Sequence, residues 1–182
     1  QDTGYTGKGM VVAILDTGLD TSHEAFRNAV NAPKFTKQDI ADKLASDPLR
    51  VGNVNVDSIY QSDKIPFAYD YYDNDTNVSG GNSHGTHVAG IVGANSGQVT
   101  GVAPDAQLMI MKIFGDDGSL KTNFYGATAN GDDMTFGNKV MRTLGLASVV
   151  YTLGTAPAKI GFNDGVMGIA SQGSDGKWNL GI

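Results

Sequence analysis

Apolar residues along the chain fall into four short continuous runs separated by polar, glycine-rich stretches. The first, Met10 to Leu15 (MVVAIL), follows the turn-like GYTGKG and stops at Asp16-Thr17-Gly18. It is continuous rather than alternating and rich in β-branched residues, which predicts a strand buried on both faces, as in parallel sheets. Leu108 to Phe114 (LMIMKIF) repeats the pattern after the turn signal Ala103-Pro104-Asp105. Ser148 to Leu153 (SVVYTL) and Gly165 to Ala170 (GVMGIA) read as a third and fourth such strand. Between them, Val88 to Ala94, residues 122–129 and residues 137–146 are helix candidates, the last two interrupted by Gly126 and Gly145. Strands alternating with helices predict an α/β fold, a doubly wound and mainly parallel sheet with helices on both faces. Ligands in such folds sit beyond the carboxyl ends of the strands, and Asp16 and Phe114 both stand there.

Residues 33–83 break this rhythm. They are polar, carry Pro33, Pro48 and Pro66, and show little periodicity. They read as a long surface insertion with a short helix over Thr36 to Ala45.

Composition narrows the function classes. A chain of 182 residues, 40% hydrophobic and 18% charged, is a globular domain or a large part of one. The net charge of −6 disfavours nucleic acid and anionic membrane as partners, because both present phosphate. No apolar run approaches the length of a membrane span, and the first residues lack the basic and apolar segments of a signal peptide. With no cysteine, disulfides and thiol catalysis are excluded; with only His23, His84 and His87, metal binding would rest on oxygen ligands.

Two short motifs carry the candidate chemistry. In Ser83-His84-Gly85-Thr86-His87-Val88-Ala89-Gly90 the two histidines are three apart, a spacing that shares a helix face and invites a metal. The zinc pattern, however, places a glutamate between or beside its histidines, and here Gly85 and Thr86 intervene. His87, flanked by Val88 and Ala89, reads as a core residue. His84, at the start of the apolar helix, can face a cleft or pack in the core. The other motif is Asp16-Thr17-Gly18 after the first strand, where an aspartate is ordinarily a turn residue or cap. The same triplet occurs in aspartic proteases, which need two copies sharing a proton; this chain has one.

Together, VAILDTGLD (12–20) and SHGTHVAGIV (83–92) resemble the subtilase family of serine proteases, whose triad members run Asp, His, Ser along the chain. Gly101 to Ala106 before the second strand and Gly115-Asp116-Asp117-Gly118-Ser119 after it extend the likeness. The long stretch between the motifs is most similar to the cell-envelope proteinases of lactic bacteria and streptococci, including the C5a-peptidase-like members. The resemblance implies an endopeptidase acting on polypeptide, with Asp16 orienting His84 and His84 as general base. It implies that Phe114, Gly118, Ser119 and Leu120, with Leu153 and Gly154 of the SVVYTLG segment, line the groove where substrate pairs as an added strand. An ordinary turn accounts for Gly118 and Ser119 as well. His23 is taken as structural.

The resemblance also marks what is missing. The family nucleophile sits in a Gly-Thr-Ser-Met-Ala-like segment, and none of the eleven serines has that context. GVMGIASQGSDG (165–176) resembles the strand and turn that supply an oxyanion-hole asparagine; matched so, Ser174 stands in its place, and an ordinary turn explains the segment equally well. The chain is therefore expected to be the front part of a subtilisin-like domain, inactive by itself, with the missing C-terminal part as a partner. An interaction module that keeps the peptide groove without turnover is the alternative. By family habit the protein is secreted or wall-associated. No cofactor is required; calcium is common in the family, and Asp70, Asp73 and Asp75 form an acidic loop, although such residues are ordinarily just solvated, so no metal site is assigned.

Overall fold

The computed structural model describes residues 4–47, 51–119, 140, 143–144 and 146–147, and the strand backbones at 149–151, 158–163, 166–172 and 178–181. Strand β1 (Val11–Asp16) is the axis of a parallel sheet. It pairs with a strand at Gln107–Lys112 on one side, from Val11 opposite Gln107 to Asp16 opposite Lys112, and with one at Val149–Tyr151 on the other. A further strand, Phe67–Asp70, lies outside Gln107–Lys112. Numbered along the chain as β2 (Phe67–Asp70), β3 (Gln107–Lys112) and β4 (Val149–Tyr151), the order is β2-β3-β1-β4.

Every residue of β1, β2 and β3 is buried, as their continuous apolar runs require. Side chains alternate between faces, so Val11, Ala13 and Leu15 join Phe67, Met109 and Met111 in one core. Val12 and Ile14 join Ala68, Leu108 and Ile110 in the other. Helix α1 (Lys37–Ser46) closes the first core with Ile40 and Leu44, alongside a one-turn helix, α2 (Val56–Ile59). Helix α3 (His84–Gly93) closes the second with Val88 and Ala89. The doubly wound parallel sheet expected from the strand pattern is present. Each large apolar side chain buried in these cores contributes about 1.5–3 kcal/mol, so β1 and β3 form a stiff base for the loops at their carboxyl ends.

Two expectations need correction. Residues 33–83 are not merely a surface insertion: they supply β2, and Phe35, Ile40, Leu44, Val51, Ile59 and Ile65 are all buried. Helix α1 forms where predicted, because Thr36 and Asp39 cap each other's backbone N–H groups and Ile40 and Leu44 fall on one face. What the periodicity hid is the tie to the sheet. The buried Gln107 amide accepts the Phe35 N–H and donates to the Phe35 and Asp63 carbonyls, each at 2.8 Å.

The run Gly165 to Ala170 does not extend the parallel sheet either. As β6 (Val166–Gln172) it lies between β5 (Ala158–Asn163) and β7 (Trp178–Gly181) in a separate antiparallel sheet. Only two residues separate β5 from β6, whereas a parallel connection needs a dozen or more. The helix candidate at 122–129 lies outside the described residues; within 137–146, Val140, Thr143 and Leu144 are helical and buried.

Candidate active site

Asp16 ends β1 with its side chain on the face covered by α3, and His84 is the first residue of α3. The loops bearing them meet so closely that both motif glycines are required. A Cβ on Gly85 would collide with the Gly18 carbonyl oxygen. Gly18 itself has φ +110° and would drive a Cβ into the Val78 carbonyl. The D-T-G and H-G pairings seen in the sequence are thus the two halves of one backbone contact.

That contact brings the His84 ring to Asp16: Nδ1–H donates to Oδ1 at 2.7 Å. The same oxygen accepts the Thr17 N–H at 2.7 Å. The Thr17 hydroxyl, 3.2 Å from that oxygen, accepts the Gly85 N–H at 3.0 Å and so links the two loops. Asn82 Oδ1 accepts the His84 N–H at 2.9 Å, an Asx turn that sets the start of the helix. Asp16 is 2% exposed and His84 51%. A buried carboxylate only accepts, so it fixes the proton on Nδ1 and leaves Nε2 as a lone-pair base on the open side. Among the described residues Asp16 Oδ2 has no hydrogen-bond partner; the whole interaction is concentrated on Oδ1.

The wall beyond β3 begins at the same place. The Ile113 and Phe114 N–H groups donate to the Asp16 carbonyl at 3.0 and 3.4 Å. Half-buried Phe114 leads into a tight loop closed by Gly118 N–H to Gly115 O (2.8 Å) and Gly115 N–H to Ser119 O (2.9 Å). Gly118 is exposed with φ +80°, and the Ser119 hydroxyl lies 2.9 Å from that of Tyr72. The structure thus joins Asp16 to His84 and to Phe114, and Phe114 leads into the loop that carries Gly118 and Ser119; Leu120, Leu153, Gly154 and Ser174 lie outside the described residues.

His87 is not a core residue. It is exposed and lines a cleft of about 340 Å³ with Asp20, His23, Ser83 and Thr86. The reason is periodicity: Gly85, Val88 and Ala89 face the core, so His84, His87 and Ile91, three and four apart, share the outer stripe. His23 caps the short 3₁₀ turn Glu24–Phe26, its Nδ1 accepting the Ala25 N–H at 3.2 Å.

Two of the acidic residues, Asp70 and Asp116, are not merely solvated but hold a buried cation. Asp70 of the acidic loop pairs with Lys112 at 2.8 Å, and Asp116 stands 3.4 Å from the same ammonium. Burial pushes the Asp70 carboxyl above its ordinary range despite this partner. On Lys112 burial opposes the charge, but Asp70 and Asp116 together more than offset it and hold the ammonium above its usual range. Thr17 stands inside the first motif and Asn82 directly before the second, and neither signals more than a turn-forming side chain.

A family model described as the Subtilase family matches residues 7–133. The chain is 32% identical over 196 residues to a PII-type proteinase of Lacticaseibacillus paracasei, covering 93% of this chain and 10% of that protein. It is 32% identical over 179 residues to the major intracellular serine protease of Bacillus subtilis (strain 168), covering 95% of this chain and 45% of the relative. It is also 29% identical over 189 residues to a C5a peptidase of Streptococcus pyogenes serotype M6, covering 96% and 15% respectively. The chain thus spans between a tenth and less than half of the length of these relatives.

Proposed function

The chain belongs to the subtilase family, and on that premise we propose that it supplies the aspartate and histidine of an Asp/His/Ser triad in a serine endopeptidase. The observation that carries the reading is the 2.7 Å hydrogen bond between a buried Asp16 and a half-exposed His84. In the proposed mechanism Asp16 keeps the proton on Nδ1 and stabilises the imidazolium that forms. Nε2 takes the proton from a serine hydroxyl as that oxygen attacks the scissile carbonyl, then returns it to the leaving amine. Polypeptide substrate lies along Phe114, Gly118 and Ser119, with Leu120, Leu153 and Gly154 completing the groove and Ser174 at the oxyanion turn. By analogy with cell-envelope members of the family, the protein works outside the cell or at its wall; calcium is a candidate stabilising ion.

No serine of the 182 residues stands in the family's nucleophile context, so the nucleophile is proposed to come from a segment that these residues do not include. A fluorophosphonate probe tests this. The chain alone should form no covalent adduct, and a form carrying a Gly-Thr-Ser-Met-Ala segment should be labelled in a His84-dependent manner. Stoichiometric labelling of the 182-residue chain would overturn the assignment. The same absence favours a second reading, a peptide-binding module without turnover, for which calorimetry would find peptide binding while the form carrying the Gly-Thr-Ser-Met-Ala segment would neither be labelled nor hydrolyse peptide.

A further inference from the structure

The loop that precedes His84 and the wall proposed to receive the peptide are fastened together at one residue, Asp116. Its carboxylate lies against Gly80 and Gly81, and the Gly81 N–H together with the Lys112 ammonium holds this carboxyl below the ordinary aspartate range. A Cβ on Gly80 would strike Asp116 Oδ1, so the loop backbone is pressed directly against the side chain. The Asp116 backbone carbonyl accepts from Asn82 Nδ2 at 3.3 Å, and Asn82 Oδ1 in turn accepts the His84 N–H at 2.9 Å. On its other side Asp116 reaches Lys112, the strand neighbour of Asp16, whose ammonium is anchored on buried Asp70.

We propose that Asp116 is a positioning residue: side chain and backbone together brace the Gly81–Asn82 turn, so that the substrate wall and the histidine move as one body. This deepens the endopeptidase reading and rests on it. Outside the helix itself, the described hydrogen bonds of His84 are two, from its ring to Asp16 and from its backbone N–H to Asn82. The second of these hangs from a glycine-rich stretch, Gly80-Gly81, with no side chains of its own to pack. A charge-assisted hydrogen bond to that stretch replaces the missing packing. Asp116 is 54% exposed, so its replacement removes the brace without opening the core.

The test uses the 182-residue chain as wild type, Asp116→Ala and Asp116→Asn. The readouts are the low-field Nδ1 proton resonance of His84 and calorimetric binding of the peptide Ala-Ala-Pro-Phe-amide. Wild type should show the resonance and bind the peptide. Asp116→Asn, whose amide oxygen still accepts from Gly81, should keep both. Asp116→Ala should lose or broaden the resonance and bind roughly tenfold more weakly, the scale expected for one hydrogen bond to a charged group. An Ala variant that matches wild type, or an Asn variant that falls as far as Ala, overturns the brace while the triad reading stands. A wild-type chain without the resonance removes the triad reading, and the brace with it.

Discussion

Asp16 and Asp70 end two strands of one sheet with Lys112 in register between them, and each carboxylate holds a basic partner at nearly the same distance, 2.7 Å to His84 and 2.8 Å to Lys112. What differs is the far side of each partner. Lys112 is 5% exposed, and its ammonium is shared among Asp70, Asp116 and, at 3.9 Å, Asp73. Its charge is consumed in holding loops. His84 is 51% exposed and keeps a second nitrogen that no carboxylate among the described residues engages. A carboxylate–base pair sealed on both sides is a strut; one left open on one side can pass a proton. A proton-transfer role at the end of this sheet therefore falls to the pair left open to solvent rather than to the stronger pair.

Removing the charge from the open pair has the largest expected effect. In a form of the protein completed with the nucleophilic serine, Asp16→Asn should lower turnover about 10⁴-fold, the cost of holding the wrong imidazole tautomer, while barely moving the thermal midpoint. Activity within a few-fold of the parent would mean that Asp16 does not orient the base. The sealed pair should answer in the opposite currency. Lys112→Met leaves Asp70 buried without its cation, a loss of about 3–5 kcal/mol in denaturant unfolding. His84→Ala should cost no more than about 1 kcal/mol, as for other half-exposed pairs. Equal losses would erase the distinction between strut and open pair.

A third variant probes the backbone contact that makes the open pair possible. Gly85→Ala forces a methyl against the Gly18 carbonyl. It should cost about 1–3 kcal/mol and separate His84 from Asp16, seen as loss of the Nδ1 proton resonance. An undisturbed resonance would show that the loops yield elsewhere.

The smallest effect concerns another sealed cation. Lys64 is buried, donates to the Pro104 and Ala106 carbonyls at 2.9 and 2.6 Å, and is pushed down to about 8 by burial. A lysine depressed in the folded state costs stability while both states keep the proton. That stability returns as pH rises from about 8 toward the unfolded value of 10.5. The melting temperature of wild type should gain a few degrees relative to Lys64→Met across that window. Parallel curves would show that the two carbonyls preserve the ammonium's ordinary affinity for its proton.

These variants divide into positions the sequence announces and positions it hides. Asp16, His84 and the glycines after them stand in short motifs at the ends of a buried run and a small-residue helix, so their convergence was readable before any coordinates. His87 was misplaced for a reason equally local: Val88 and Ala89 are its neighbours in sequence, but successive helix residues point about 100° apart. Its true companions on the outer stripe are His84 and Ile91. The parity of the helix, properly applied, would have found it. Nothing local announces Lys112 with Asp70, Gln107 with Phe35, or Asp116 with Gly81, each pair separated by 35 to 72 residues.

Local patterns were enough for strands β1, β3, β4 and β6, for helix α1 and for singling out Asp16 and His84 as candidates. Each follows from hydrophobic periodicity, turn chemistry or a motif, all of which act over a few residues. The tertiary structure decided that residues 33–83 insert a strand into the sheet, that the last strands form a sheet of their own, and that one acid–base pair is closed while its neighbour is open. Those outcomes depend on which distant backbones come within hydrogen-bonding distance. Closing a loop costs only slowly more entropy as it lengthens, so a long-range partner can be chosen from many with no mark left in the local pattern.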